Sequence, residues 1–497
     1  MSKRHLSDLR RLFGGGIGYR DLQLENDGLL KLALQNEIRR VKQRVLKKSG
    51  GRHPNPRVRA AAKRHAADQA KKLRRRLIDR PRDIPRMGAL VRKFTPSRIL
   101  DRLDPERPEK WRPLIARGYR SEYPRLALGP LNFLDDPIAT IEQFKRLSEI
   151  ERSEVNAFLD FADPRCMDVG AYLVLAEIWP QMSPIFRGGV MSMAVQKVLS
   201  AMELDRDLGI GLPNVTDHQY VSAFPIARRR PGATSTDPDR QLKPADREKM
   251  ADKLVELVNG WLIIAAHHKD LDTVMELSDQ GKSLIGRMVG EILCNAERHS
   301  LPDSDDGDWS MSAFMAARDT SSGEQALHCY LGFLNSGQSI AESMSSAPED
   351  MLRKTERYTR QFSRKRVSKD LLTTVVALQD TVTSNSAAVR GERGGTGLQD
   401  VLEFAAELGA CGMAGSDVRV TIVSGTSCIR LKSPILAGVT NQEGRRVQWC
   451  NRANQPDLEP DPTVAFELPA HFAGTLVSVG FILDPHLLTP KEEELDG

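Results

Sequence analysis

Apolar residues recur at helical spacing from about Leu277 to His299, with Leu284, Ile285, Met288, Val289, Ile292 and Leu293 on one broad face. Glu291, Asn295 and His299 interrupt that face at i, i+4 and i+8, so they line up along one side of the predicted helix. A carboxylate, a carboxamide and an imidazole on a core-facing helix are costly to bury without partners. The stripe is therefore either the wet edge of an ordinary amphipathic helix or a place where a ligand supplies the partners. Further helical periodicity predicts helices at Asp21–Leu46, Val58–Ile78, Ile141–Phe158 (with Thr140 as N-cap), Asp168–Trp179, Met191–Met202, Pro244–Ala266, Pro348–Phe362 and Lys369–Ser384. Short apolar runs predict strands at Phe158–Ala162, Trp309–Ala316, Ala326–Leu334, Val418–Ser424, Ser427–Leu431 and Leu476–Leu483. Trp309–Ala316 and Ala326–Leu334 are expected to pair antiparallel.

Breaks between these elements divide the 497 residues into four parts. Residues 1–130 form a basic, mainly helical region, and residues 140–227 a small α/β unit. Residues 228–243, which open Arg228-Arg-Arg-Pro-Gly, are a linker by composition. Residues 244–490 form a larger unit of helices and antiparallel strands. The fold class is α+β.

The net charge of +6 conceals an asymmetry. The first 100 residues hold 28 Lys and Arg against 8 Asp and Glu, a surplus of 20, which leaves −14 on the remainder. Lys63, Arg64, Lys71, Lys72, Arg74, Arg75 and Arg76 crowd one predicted helix, a pattern that suits phosphates on nucleic acid or an acidic protein surface within residues 1–80, or a solvated face. Aromatic interleaving, helix-turn-helix spacing and zinc-finger spacing are all missing there, so any nucleic-acid contact is expected to ignore base sequence. No run of about 18 apolar residues predicts a membrane helix, and no apolar leader predicts secretion. The six cysteines are scattered without a C-x-x-C pair, as in reduced core positions of a cytoplasmic protein.

Two glycine-containing segments follow the striped helix. Asn335-Ser-Gly337-Gln-Ser339-Ile340 comes directly after a predicted strand. Arg390-Gly-Glu-Arg-Gly394-Gly395-Thr396-Gly397-Leu398 opens a helix running through Ala406. Glycines let successive backbone N–H groups face an anion, and a helix N-terminus adds its dipole. Taken singly, either segment fits a flexible loop equally well.

In order, the striped helix, two strands, the first glycine turn, a lid-like stretch (343–395), the Gly-Gly-Thr-Gly helix start and further strands resemble the GHKL family, which has the Bergerat ATP-binding fold. The resemblance covers residues 245–485, and it implies a sandwich of a mixed, mostly antiparallel sheet with helices on one face. It implies ATP and Mg²⁺ as ligands, Glu291 as the general base that orients water, and Asn295 as the metal ligand. Asn335, Gly337 and Ser339 fall on the family's adenine-side glycine box. There Asn335 replaces an Asp that accepts from the adenine amino group, and Ser339 replaces a Gly. Gly394, Gly395, Thr396 and Gly397 fall on the phosphate-side box. Residues 140–227 weakly resemble a STAS domain, with Asp168 where that family's phosphorylated Ser would stand, so the unit would not switch.

Three functions follow as expectations. The first is an ATPase whose nucleotide state closes a lid, drives homodimerisation and alters contacts of the basic arm, as in DNA-processing or bacterial defence proteins. The second is a signalling kinase, either anti-sigma-type or one using His267 or His268, although neither His is followed by the acidic residue a histidine kinase uses. The third is a non-catalytic scaffold on a degenerate ATP fold.

Overall fold

The computed structural model describes residues 38–48, 53–79, 89–92, 96–107, 112–115, 125–204, 221–230, 246–267, 274–301, 307–319, 325–362, 367–379, 382, 397–411 and 418–491, excepting 40, 154–156, 184, 187 and 443 within those spans. Of the expected Asp21–Leu46 helix, the residues before 38 lie outside this set, and residues 41–48 are helical.

In chain order the first elements are α1 (Pro56–Asp79), β1 (Ala89–Arg92), α2 (Arg98–Leu103), β2 (Arg112–Ile115), β3 (Arg125–Leu128), α3 (Pro137–Ser153), β4 (Phe158–Phe161), α4 (Val169–Met182) and α5 (Met193–Ala201). Next come β5 (Val221–Arg229), α6 (Arg247–His267), β6 (Met275–Leu277), α7 (Asp279–His299), β7 (Trp309–Asp319), β8 (Gln325–Asn335), α8 (Ile340–Met344), α9 (Glu349–Phe362) and α10 (Lys369–Ala377). The chain continues with α11 (Gly397–Leu408), β9 (Arg419–Lys432), β10 (Val439–Thr440), β11 (Arg446–Val447), β12 (Ala465–Ile482) and β13 (Leu488–Pro490).

The organising layer is a five-stranded antiparallel sheet in the order β5-β7-β8-β12-β9. Its strands are apolar on both faces, the pattern of a sheet covered twice. Along β8, Cys329, Leu331 and Phe333 enter a core built with α6, α7, α9, α10 and α11. Tyr330 and Leu334, on alternate positions, enter a second core built from α2 to α5 with β3 and β4. β12 divides the same way, with Val477, Val479 and Phe481 in the first core and Phe472 and Leu476 in the second. The molecule is thus mixed α/β, with helices on both sides of an antiparallel sheet.

The second layer docks closely. Gly332 of β8 faces the start of α4 so tightly that a Cβ there would lie 2.7 Å from the Gly170 nitrogen. Glycine at both positions allows the contact. β3 and β4 pair in parallel beside these helices.

Several elements differ from expectation. β5 lies in a stretch read as the tail of the middle unit and the start of the linker, yet it forms the sheet edge on β7. The two strands expected at 418–424 and 427–431 are one, β9, which passes through Gly425 at φ +61°. The two helices of the lid-like stretch are built into the first core through Met351, Tyr358, Phe362, Leu371, Leu372 and Val375. Thr140, expected as a cap, lies inside α3. Asp136 caps instead, accepting from Ala139 N at 3.0 Å, because Pro137 begins the helix without an N–H to satisfy. All six cysteines are free, and five of them are buried. Among the described residues no helix is long and apolar enough to cross a membrane.

Asp168 caps α4 rather than facing solvent. Its carboxylate accepts from Phe133 N at 2.6 Å and Gly170 N at 2.9 Å, and burial pushes its pKa up to about 6. The folded state therefore keeps a proton that the unfolded chain has already released above its ordinary value of 3.8. Stability held below that value is lost as pH rises towards 6, by about 3 kcal/mol at 1.36 kcal/mol per pKa unit. Asp168→Asn removes the titration. The stability difference between wild type and D168N, measured by urea denaturation, should fall across pH 4–6. A constant difference would show that Asp168 ionises unhindered.

Candidate functional site

Helix α7 is fixed at its start by Ser278, whose hydroxyl accepts from Gly281 N at 3.2 Å, and along its length by the apolar face predicted for it. Glu291, Asn295 and His299 all border one cavity of about 320 Å³. The same cavity is lined by Asn335 and Ser339 from the first glycine turn and by Gly397 at the start of α11. Ile292, Phe333, Ile340, Met344, Leu378, Val382 and Val477 supply its apolar walls.

The first glycine turn is held against the far end of α7. Gln338 N donates to the Ser300 carbonyl at 2.8 Å, which satisfies an orphan acceptor at that helix terminus. Gly337 lies over the same carbonyl, and a Cβ there would sit 1.8 Å from its oxygen. Gly337 therefore shapes the turn and does not border the cavity. Ser339 begins α8 with a reciprocal cap: its hydroxyl accepts from Glu342 N at 3.1 Å, and Glu342 Oε2 accepts from Ser339 N at 2.8 Å. That cap gives the Ser339 hydroxyl a fixed structural use at the start of α8.

Asn335 ends β8 and is 9% exposed. Its Oδ1 accepts from Gly337 N at 3.3 Å. Across the sheet Gly474, at φ +80°, crowds it so closely that a Cβ would meet the Asn335 carbonyl at 2.0 Å. At the opposite end of the cavity, a Cβ on Gly397 would lie 2.7 Å from Asn295 Nδ2 and 3.1 Å from Glu291 Oε2. The first turn of α11 thus covers the polar stripe of α7. Burial, and then the neighbouring Asp400 carboxylate, raise the pKa of Glu291, while Arg298 and Arg287 oppose the shift. Asn295 Nδ2 is buried with no hydrogen-bond partner among the described residues.

Of the sequence-predicted residues, the structure brings together Glu291, Asn295, Asn335, Ser339 and Gly397. Gly394, Gly395 and Thr396 lie outside the described residues. Thr475, Gln338, Gln399 and Leu378 border the cavity without having been predicted. Thr475 carried a signal, since it directly precedes the strand predicted at Leu476–Leu483; Leu378 and Gln399 carried none. No group of three His, Cys, Asp or Glu side chains suited to a metal occurs among the described residues.

Comparison with protein-family models, with curated proteins and with solved structures finds no match for the chain.

The contact between Gly337 and Ser300 is rigid on both sides, since backbone faces backbone. Gly337→Ala should lower the unfolding free energy by about 1–3 kcal/mol, the usual cost of overpacking. Urea denaturation measures it, and wild-type stability would show that the turn moves freely away from α7.

Proposed function

We propose that this chain is a GHKL-type protein that binds a nucleoside triphosphate with Mg²⁺, the motif resemblance implying ATP, and that it hydrolyses the nucleotide. The observation that carries this reading is the convergence of Glu291, Asn295, Asn335, Ser339 and Gly397, from separate segments, on one cavity with apolar walls and a helix start at its border. A base suits the apolar walls, and phosphates suit the helix N-terminus.

The residues present fit Mg²⁺. The ion needs only one or two protein oxygens and takes the rest from phosphates and water, so Asn295 Oδ1 suffices. The unpartnered Asn295 Nδ2 is a donor for a phosphate oxygen. Bound there, the ion would neutralise phosphate charge, which is most of what phosphoryl transfer asks of a site. Glu291 takes the role of general base for water, and its raised pKa moves it toward the range in which a carboxylate accepts a proton effectively.

The cavity rim touches the second helical layer. Arg102 of α2 donates to Glu342 Oε1 at 3.1 Å, and Glu342 also caps the turn that carries Ser339. This link supports a nucleotide state that alters contacts made by the N-terminal half, including self-association. On α1, Ala62, Ala66 and Ala70 are buried while Arg57, Lys63, Arg64, Lys71 and Lys72 are exposed, a charge distribution suited to phosphates of nucleic acid.

Glu291→Ala should slow phosphate release from the Mg²⁺ complexes of ATP and GTP by about 10²–10⁴-fold while leaving nucleotide binding intact. The acid limb of the wild-type pH profile should lie above the ordinary carboxylate range. Equal, background-level turnover in wild type and E291A would overturn hydrolysis. Deleting residues 1–80 should abolish a salt-sensitive mobility shift on duplex DNA, and no shift by the intact chain at low salt would dismiss that contact.

A further inference from the structure

The sheet-side edge of the cavity carries a definite donor and acceptor pattern, whose meaning rests on the reading of the cavity as a nucleotide site. Asn335 and Thr475 are direct partners across the β8–β12 pair, on the face that also carries Phe333 and Val477. Both border the cavity. Side chains so opposed have Cβ atoms about 4.5–5.5 Å apart, so one ligand edge meets both.

The Asn335 amide is oriented by its surroundings. Gly337 N–H needs an acceptor, and only Oδ1 can accept. The backbone at Gly474 crowds the same oxygen, the position of a Cβ there being 2.9 Å away. Nδ2 is left as a donor with no partner among the described residues. The Thr475 hydroxyl is oriented by Ser424. Ser424 Oγ gives its single proton to the Gly474 carbonyl at 3.1 Å, and it accepts from Ile340 N at 2.8 Å. In the 2.8 Å contact between Ser424 Oγ and Thr475 Oγ1 either hydroxyl can donate, and with the Ser424 proton on the Gly474 carbonyl the donor is Thr475. Its remaining lone pairs are what it offers a ligand.

The edge thus reads as a donor at Asn335 beside an acceptor at Thr475. A 6-amino purine presents an N–H donor at position 6 and an acceptor at N1. A 6-oxo purine presents the reverse, an acceptor at O6 and a donor at N1. We propose that Asn335 and Thr475 select a 6-oxo purine nucleotide, guanosine or inosine triphosphate, over adenosine triphosphate. O6 accepts from Asn335 Nδ2, and N1–H donates to Thr475 Oγ1. Adenine sets donor against donor at Asn335 and lone pair against lone pair at Thr475. Polar groups left unpaired on binding discriminate between bases.

The test is isothermal titration calorimetry on the full-length chain with Mg²⁺, using the β,γ-imido analogues of ATP and GTP, with inosine triphosphate as competitor. The guanosine analogue should bind at least about tenfold tighter than the adenosine analogue. Inosine triphosphate should displace it, since the 2-amino group takes no part. Asn335→Asp, which offers an acceptor in place of the donor, should abolish the preference, since each base then meets one matched and one mismatched group. Wild-type binding of the adenosine analogue as tight as or tighter than the guanosine analogue overturns the base assignment and leaves the triphosphate reading standing. An unchanged order in N335D overturns the role of Asn335. No binding of either analogue by wild type and N335D alike overturns both readings.

Discussion

The antiparallel pairing of β8 with β12 is the constraint on which the rest depends. Eight consecutive residue pairs, from Asn335↔Thr475 to His328↔Ile482, run without a slip. Because side chains alternate, this register decides which residues of both strands enter each core. A one-residue slip of β12 along β8 would send Val477 to the second helical layer and Leu476 to the first, while Phe333 and Leu334 stayed where they are. It would also remove Asn335 and Thr475 from the same side of the ladder. One set of backbone hydrogen bonds therefore fixes the double-sided core and the polar edge of the cavity together.

The same ladder explains where glycine is needed. Gly332 lets α4 approach β8, Gly474 lets β12 turn beneath the Asn335 carbonyl, and Gly337 lets the following turn rest on Ser300. Each is a backbone approach that a Cβ would obstruct. Ser339 is different in kind, because its side chain is used as a helix cap. A glycine-rich segment therefore need not be glycine throughout to have a fixed shape. Geometry demands glycine only where backbone meets backbone, and elsewhere a hydroxyl can hold the turn.

Much of the fold was legible in the sequence, and the gaps have physical causes. The stripe on α7, the pairing of β7 with β8 and the helix starting at Gly397 follow from periodicity, which is local. The covering of both sheet faces does not, because a strand that is apolar on alternate and intervening positions does not say what lies over each. β5 was hidden by Pro225 and the Arg228-Arg-Arg run, which read as linker although an edge strand tolerates both. α9 and α10 read as part of a lid because they stand between the two glycine segments; their buried residues belong to the core. Asp168 stands out in the sequence for its position in a motif, whereas its burial and its two backbone partners are visible only in three dimensions. Thr475 needs the β8–β12 register before its place beside Asn335 can be known.

The second layer meets the site through side chains that serve twice. Glu342 holds the Ser339 backbone with one oxygen and Arg102 with the other. Arg102 is well exposed, and such pairs contribute at most about 1 kcal/mol. Arg419 pairs with Asp135, and Arg430 donates to the Asp135 carbonyl at 2.7 Å, fastening the loop before α3 to the β9 edge. The two faces of the molecule are thus joined mainly by apolar burial across the sheet, worth far more than these rim contacts. Rearranging the rim costs little while the cores stay intact. That inequality is what would let a ligand ordering the Ser339 turn change the α2 side without unfolding anything, since the Arg102–Glu342 pair is weak enough to exchange and its carboxylate is already part of the turn.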